Sequence, residues 1–169
     1  ATSEITFKEM SLLAEKHLSL LGIGPVYVGC IAILTAIGLG FSVAGKIPII
    51  TIVQLNKVFF VCGLVCIVLG IVLWLNGALF SKLDYSIKTN QLVTGGIYAF
   101  VRNPIYSAFM FLFTGILLLY GNILLFILPL VYWLLMTLLL KASEEKWLSE
   151  LYGEEYLAYC KRVNRCLPW

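Results

Sequence analysis

The stretch from residue 103 to residue 140, NPIYSAFMFLFTGILLLYGNILLFILPLVYWLLMTLLL, decides how this chain folds. It runs for 38 residues without an Asp, Glu, Lys or Arg. As a single helix it would be about 57 Å long, nearly twice the hydrocarbon thickness of a bilayer. Gly121-Asn122 lies at its midpoint and is turn chemistry. The stretch therefore reads as a tight hairpin of two membrane spans, residues 104–120 and 123–140, with Pro129 expected to kink the second.

Two further uncharged runs lie upstream, residues 18–45 and 58–81. Each exceeds the roughly 18–20 residues that cross the hydrocarbon layer. Residues 47–56 are apolar but too short to span, and read as an interfacial or partly re-entrant connection. Before the first span, Phe7, Met10, Leu13, Leu18 and Leu21 recur at near-helical spacing with Glu9, Glu15 and Lys16 between them. This predicts an amphipathic helix on the membrane surface over residues 1–22. The apolar stretch begins late and shows no small-residue cleavage pattern, so no signal peptide is expected.

Composition agrees. Of 169 residues, 61% are hydrophobic and 12% charged, against about half and a quarter in soluble domains. These values exclude a soluble enzyme, a disordered tail and a nucleic-acid-binding domain. A net charge of +3 is too small to imply a polyanionic partner. The predicted fold is all-α: a polytopic membrane bundle of about four transmembrane helices, an N-terminal amphipathic helix and a C-terminal cytoplasmic helical cap. It forms one integral membrane domain over residues 1–169, with spans one and two in 23–81 and a hairpin and tail in 92–168. The five cysteines follow no zinc or disulfide spacing and read as small buried hydrophobes and reduced thiols; no metal site is expected.

With four spans, the N-terminus, the loop 81–103 and the tail share one face. That face holds ten of the twelve basic residues; the other holds Lys46 and Lys57. The positive-inside bias puts both termini in the cytoplasm. A hairpin also returns its ends to one membrane surface. Arg102 and Asn103 are therefore expected beside Glu144 and Glu145, giving a cation, two carboxylates and several tyrosines at one boundary. Every one of these residues has a plainer role available. Arg102 suits a positive flank, Asn103-Pro104 a helix start, Glu144-Glu145 a solvated helix face, and Gly95-Gly96 a turn. Tyr98, Tyr106, Tyr152, Tyr156 and Tyr159 suit interfacial aromatics, and His17 an interface residue.

The stretch Gly96-Ile97-Tyr98-Ala99-Phe100-Val101-Arg102-Asn103-Pro104-Ile105-Tyr106 resembles the G-x-Y…R-H-P-x-Y signature of the isoprenylcysteine carboxyl methyltransferase and phospholipid methyltransferase superfamily. Glu144-Glu145, Leu148, Tyr152-Gly153-Glu154-Glu155-Tyr156-Leu157-Ala158-Tyr159 and Arg162-Val163…Leu167-Pro168 resemble its E-E-x-x-L…F-G-x-E-Y-x-x-Y…R-V…P tail. Asn103 stands where the family often has histidine, a form similar to that of the phospholipid N-methyltransferases.

The resemblance implies an S-adenosylmethionine-dependent membrane methyltransferase with a lipophilic methyl acceptor. The acceptor would be an isoprenylcysteine-type carboxylate or a phospholipid amine. It further implies a cofactor site at Gly95, Gly96, Ile97, Tyr98, Arg102, Asn103, Pro104, Tyr106, Glu144 and Glu145, with Glu145, Arg102 and Tyr106 in catalysis. Arg102 would pair with the cofactor carboxylate. Glu145 or a nearby tyrosine would serve as base for an amine. Two rival classes are a nicotinamide-dependent membrane reductase related to sterol reductases and a non-enzymatic small membrane subunit. A reporter fused after Trp169 is expected to read cytoplasmic; an external reading would overturn the topology.

Overall fold

The computed structural model describes residues 23–79 and 92–167. The expected amphipathic helix over residues 1–22 lies outside the described residues. The element order is α1 (Gly24–Val43), a 3-10 turn (Val53–Leu55), α2 (Asn56–Leu79), a 3-10 turn (Gly96–Ala99), α3 (Pro104–Tyr120), a 3-10 turn (Ile123–Ile127), α4 (Leu128–Ala142), α5 (Glu144–Tyr152) and α6 (Glu154–Arg162). No strand occurs among the described residues. Three helical stretches, Gly24–Val43, Val53–Ala78 and Ile123–Tyr152, are long and apolar enough to cross a membrane, and α3 is a shorter apolar helix. The chain is an all-helical integral membrane bundle.

The hairpin forms where the turn residues stand. Gly121 ends α3 in the left-handed conformation at φ +77°, which glycine adopts without Cβ strain, and its N–H donates to Leu117 O at 3.0 Å. Asn122 is fully buried and spends its whole amide. Its Nδ2 donates to Ser42 Oγ at 2.9 Å and to Pro48 O at 3.2 Å. Its Oδ1 accepts from Ile50 N and Leu124 N, each at 3.2 Å. The connection between α1 and α2 is thus tied to the hairpin tip. Pro129 does not kink α4. It sits in the helix's first turn, where its missing N–H would have had no partner, directly after the 3-10 turn.

The antiparallel pair α2 and α3 makes the closest seam. Gly63, Gly70 and Gly77 repeat every seven residues along α2, and α3 presses against each. A Cβ at Gly70 would lie 2.7 Å from a Leu112 carbon and 2.8 Å from Ala108 O; one at Gly115 would lie 2.7 Å from Gly63 O. Such small-residue seams let backbones approach where no hydrophobic effect drives association within lipid. The opposite face of α2 leaves Val61, Val65, Val68 and Val72 exposed, at helical spacing, as a surface for lipid chains.

The other side of α3 meets α1 and α4. Helix α1 buries Tyr27, Ile31, Thr35, Gly38 and Ser42, three or four residues apart, and leaves Ile33, Ile37 and Phe41 outside. Inside this seam Tyr132 and Thr35 hydroxyls lie 2.6 Å apart, Thr35 Oγ1 also reaches Ile31 O at 2.6 Å, and Tyr27 OH donates to Tyr132 O at 3.3 Å. These pairings satisfy polar groups that would be costly to leave bare in lipid. Gly115→Leu is expected to destabilise the bundle by about 3 kcal/mol or more through overpacking against backbone, lowering the unfolding temperature in detergent. The same change at Gly29, where a Cβ meets nothing within 4 Å, should leave it near wild type.

Candidate functional site

The end of the bundle opposite Asn122 gathers the charges. Three local features build it. A 3-10 turn, entered at Gly96 with φ +63°, precedes α3 and tucks Ile97 against Leu73, Val101 and Ala108. Pro104 then starts α3. Beyond α4, Ser143 breaks the axis, and α5 begins with Glu144 and Glu145 in its first turn, a favourable end for negative charge. Tyr156, Tyr159 and Val163 form a small core with Leu92, Leu148, Tyr152 and Cys160, which folds α6 back over the site. Burial pushes the Tyr156 and Tyr159 hydroxyls well above the usual tyrosine range.

The segment after α6 is strapped onto the start of α3. Arg102 N donates to Asn164 O at 2.9 Å, and Asn103 Nδ2 donates to Arg165 O at 3.1 Å. Tyr159 OH donates to Tyr98 O at 2.6 Å. Asn103 occupies the N-cap position, but its side chain makes no cap bond; its amide is committed to the strap.

Arg102 and Glu145 meet as expected, with an N–O distance of 3.4 Å. The partner that sequence reasoning missed is Arg165. It grips Glu145 with both prongs of its guanidinium, Nε to Oε1 at 2.6 Å and Nη2 to Oε2 at 2.8 Å. That hydrogen-bonded carboxylate raises the already high Arg165 pKa, against the opposing effect of burial. Arg102 also donates to Cys160 Sγ. Its side chain keeps only 9% of its exposure, and its buried Nε has no hydrogen-bond partner among the described residues. Two cations therefore share one carboxylate. Arg165 carried no signal beyond its place among the tail basics; Arg162, the arginine inside the tail motif, is exposed.

Glu144 turns the other way. Its Oε1 accepts from Tyr106 OH and from Ile23 N at 3.3 Å, and the Tyr106 ring lies 5.7 Å from that of Tyr27. Glu144 lies beyond the end of α4. Burial pushes its carboxyl above the usual range, the bonds from Tyr106 and Ile23 pull it back, and the adjacent Glu145 charge adds to the rise.

A cavity of about 390 Å³ opens against the strap, lined by Arg102, Trp133, Cys160, Asn164, Arg165 and Leu167. It is cationic at one end and aromatic and apolar at the other. Of the expected site residues only Arg102 lines it. Asn103 and Glu145 hold its walls through Arg165, and Tyr106 with Glu144 forms a second corner toward α1. Gly95 and Gly96 sit exposed beside the 3-10 turn, while Ile97 and Pro104 pack into the bundle. Among the described residues no cluster of His, Cys, Asp or Glu suited to a metal occurs, and the five cysteines are free.

Residues 56–155 match the family model described as phospholipid methyltransferase, and the chain belongs to that family. It is similar to the protein-S-isoprenylcysteine O-methyltransferase of Schizosaccharomyces pombe, with 37% identity over 82 residues. That match covers 48% of this chain and 34% of the relative, so the aligned part spans about a third of the relative's length. No solved structure matches. Arg165→Ala should cost about 2 kcal/mol, the loss of a charged hydrogen-bonding partner, read as a lower unfolding temperature. Arg165→Lys should recover only part of it, because an ammonium cannot grip a carboxylate with two prongs.

Proposed function

We infer that this chain is an S-adenosylmethionine-dependent membrane methyltransferase acting on a lipophilic acceptor, either an isoprenylcysteine-type carboxylate or a phospholipid amine. One observation carries the reading. The family-matched stretch supplies Arg102, nearly buried and with an Nε unpartnered among the described residues, to the wall of a cationic cavity. The volume is in the range of small-molecule pockets. The residues fit the cofactor: Arg102 and Arg165 together exceed the charge of Glu145 and leave donors for a carboxylate, while Trp133 offers a π-face to an adenine or a sulfonium. Asn164 and Cys160 complete the polar wall.

Bound there, the cofactor supplies an electrophilic methyl group. The chain's own residues then have limited work. They orient the acceptor in line with that methyl, exclude water, and keep Glu145 as a fixed counter-ion. Ten of twelve basic residues on one face support cytoplasmic termini and a cytoplasmic cofactor entrance, with the acceptor arriving from the bilayer.

Calorimetry on the purified chain in nanodiscs is expected to show S-adenosylmethionine binding and no NADPH binding. Arg102→Ala should weaken that binding at least tenfold. Binding of NADPH instead, or unchanged affinity in the variant, would overturn the assignment.

A further inference from the structure

Helix α2 is the least enclosed of the three long spans. It packs along α3 and makes no comparable contact with α1 or α4. All five of its valines, Val58, Val61, Val65, Val68 and Val72, lie on one stripe. Their spacing alternates between three and four residues, and Leu75 continues it. The stripe therefore holds the a and d positions of a seven-residue repeat, with Val58, Val65 and Val72 at a and Val61, Val68 and Leu75 at d. All six side chains are between 37% and 59% exposed. Gly63, Gly70 and Gly77 hold the f position on the far side of the helix, and α3 already fills that seam.

A helix face that meets only acyl chains needs to be apolar and nothing more. Lipid does not gather every valine onto one line or hold it to a seven-residue period. The bulkier Phe60, Leu64, Leu69 and Trp74 are exposed as well, but they lie beside the stripe. Valine is short and nearly fixed at χ1, so packing it costs little side-chain freedom. It leaves a low, regular ridge, and close van der Waals packing is what joins helices within lipid.

We propose that the valine stripe of α2 is a homodimer interface, filled by the same stripe of a second copy. Two copies in one membrane share an orientation, so a two-fold axis along the membrane normal brings their α2 helices together in parallel. Each position on the stripe then meets its own counterpart, and a uniform row of valines is complementary to itself. The seven-residue period implies a left-handed crossing of about 20°. The area suffices: the six stripe residues, with Leu64, Leu69 and Ile71 beside them, offer roughly 700 Å² per copy, close to the ~800 Å² per partner of stable complexes. Residues 58–81 carry no charge, so no like charges meet along the seam. The cavity is lined by Arg102, Trp133 and the tail, away from this face, and the proposal does not depend on the methyl-transfer reading.

The test uses the full chain in native membranes, with Cys30, Cys62 and Cys66 replaced by alanine to set a baseline. In that background Val61→Cys, Val65→Cys, Val68→Cys and Val72→Cys should each give a disulfide-linked species of twice the monomer mass on oxidation with copper phenanthroline. Phe60→Cys and Trp74→Cys, which are as exposed but off the stripe, should stay at baseline. Separately, the wild-type chain with a fluorescent protein after Trp169 should bleach in two steps in bilayers and fall to one step as lipid dilutes it. Val65→Phe with Val68→Phe should weaken that association at least tenfold by overpacking the seam. It should leave the unfolding temperature of the monomer in detergent near wild type, because both positions face away from α3.

Equal cross-linking on and off the stripe would mean random collision and would overturn the proposal. So would cross-links confined to Phe60→Cys and Trp74→Cys, or a product whose mass is not twice the monomer's. Wild-type chains that bleach in one step at every dilution would overturn it whatever the variants do, and would leave the stripe to lipid or to residues 1–22 or 80–91 of the same chain.

Discussion

A carboxylate at the edge of a membrane needs cations, and the grip of Arg102 and Arg165 on Glu145 is the constraint on which the site depends. Burying an ion costs several kcal/mol unless its partners travel with it. Glu145 begins α5, Arg102 precedes α3, and Arg165 follows α6, so neutralising one side chain fixes three elements against each other. The backbone bonds from Arg102 to Asn164 and from Asn103 to the Arg165 carbonyl finish the arrangement. The cavity lies between this strap and Trp133 of α4. Its excess of positive charge follows from two guanidinium groups sharing one carboxylate.

The same pairing separates two compartments. Successive residues on a helix point about 100° apart, so Glu144 cannot enter the cluster that Glu145 occupies. It meets the head of α1 and the hydroxyl of Tyr106 instead. The charged cavity and the tyrosine-lined corner therefore come from one helix start. A cationic cavity suits an anionic group, and the tyrosine–carboxylate pair fastens the head of α1 to α3.

Much of this architecture was legible in the residues. A 38-residue uncharged run cannot span once, and Gly121-Asn122 could only be its turn; α3 ends at Tyr120 as expected. The convergence of Arg102 on Glu145 followed from the hairpin alone. What stayed hidden depended on side-chain choices among alternatives of similar chemistry. Arg162 belongs to the tail motif, but α6 turns it to solvent and Arg165 takes the carboxylate. Asn103 sits where an N-cap belongs, yet its side chain caps nothing and its Nδ2 donates to the Arg165 carbonyl at 3.1 Å. Pro129 looked like a kink because periodicity does not distinguish a 3-10 turn from a helix start. The glycines at 63, 70 and 77 were readable as a seven-residue repeat, but a repeat in one helix does not say which helix it faces.

The two ends of the hairpin divide the polar work in a way that bears on access. At the tip, Asn122 is a neutral amide with four partners, which tolerates full burial. At the site end the polar groups are ionic and need the boundary. Helix α3 has 17 residues, about 25 Å of rise against a hydrocarbon layer of about 30 Å. Its neighbour α2 has 24 residues, and Gly77 near its end packs against Pro104 and Ile105 at the start of α3. The strap packs onto this end: Cys166 is buried and Leu167 packs in the core beside Tyr27 and Tyr132, while Trp133 on the cavity wall remains partly exposed on the outer face of α4. A cavity lined at once by two arginines and by a half-exposed tryptophan offers one wall to a charged group and another to an apolar one.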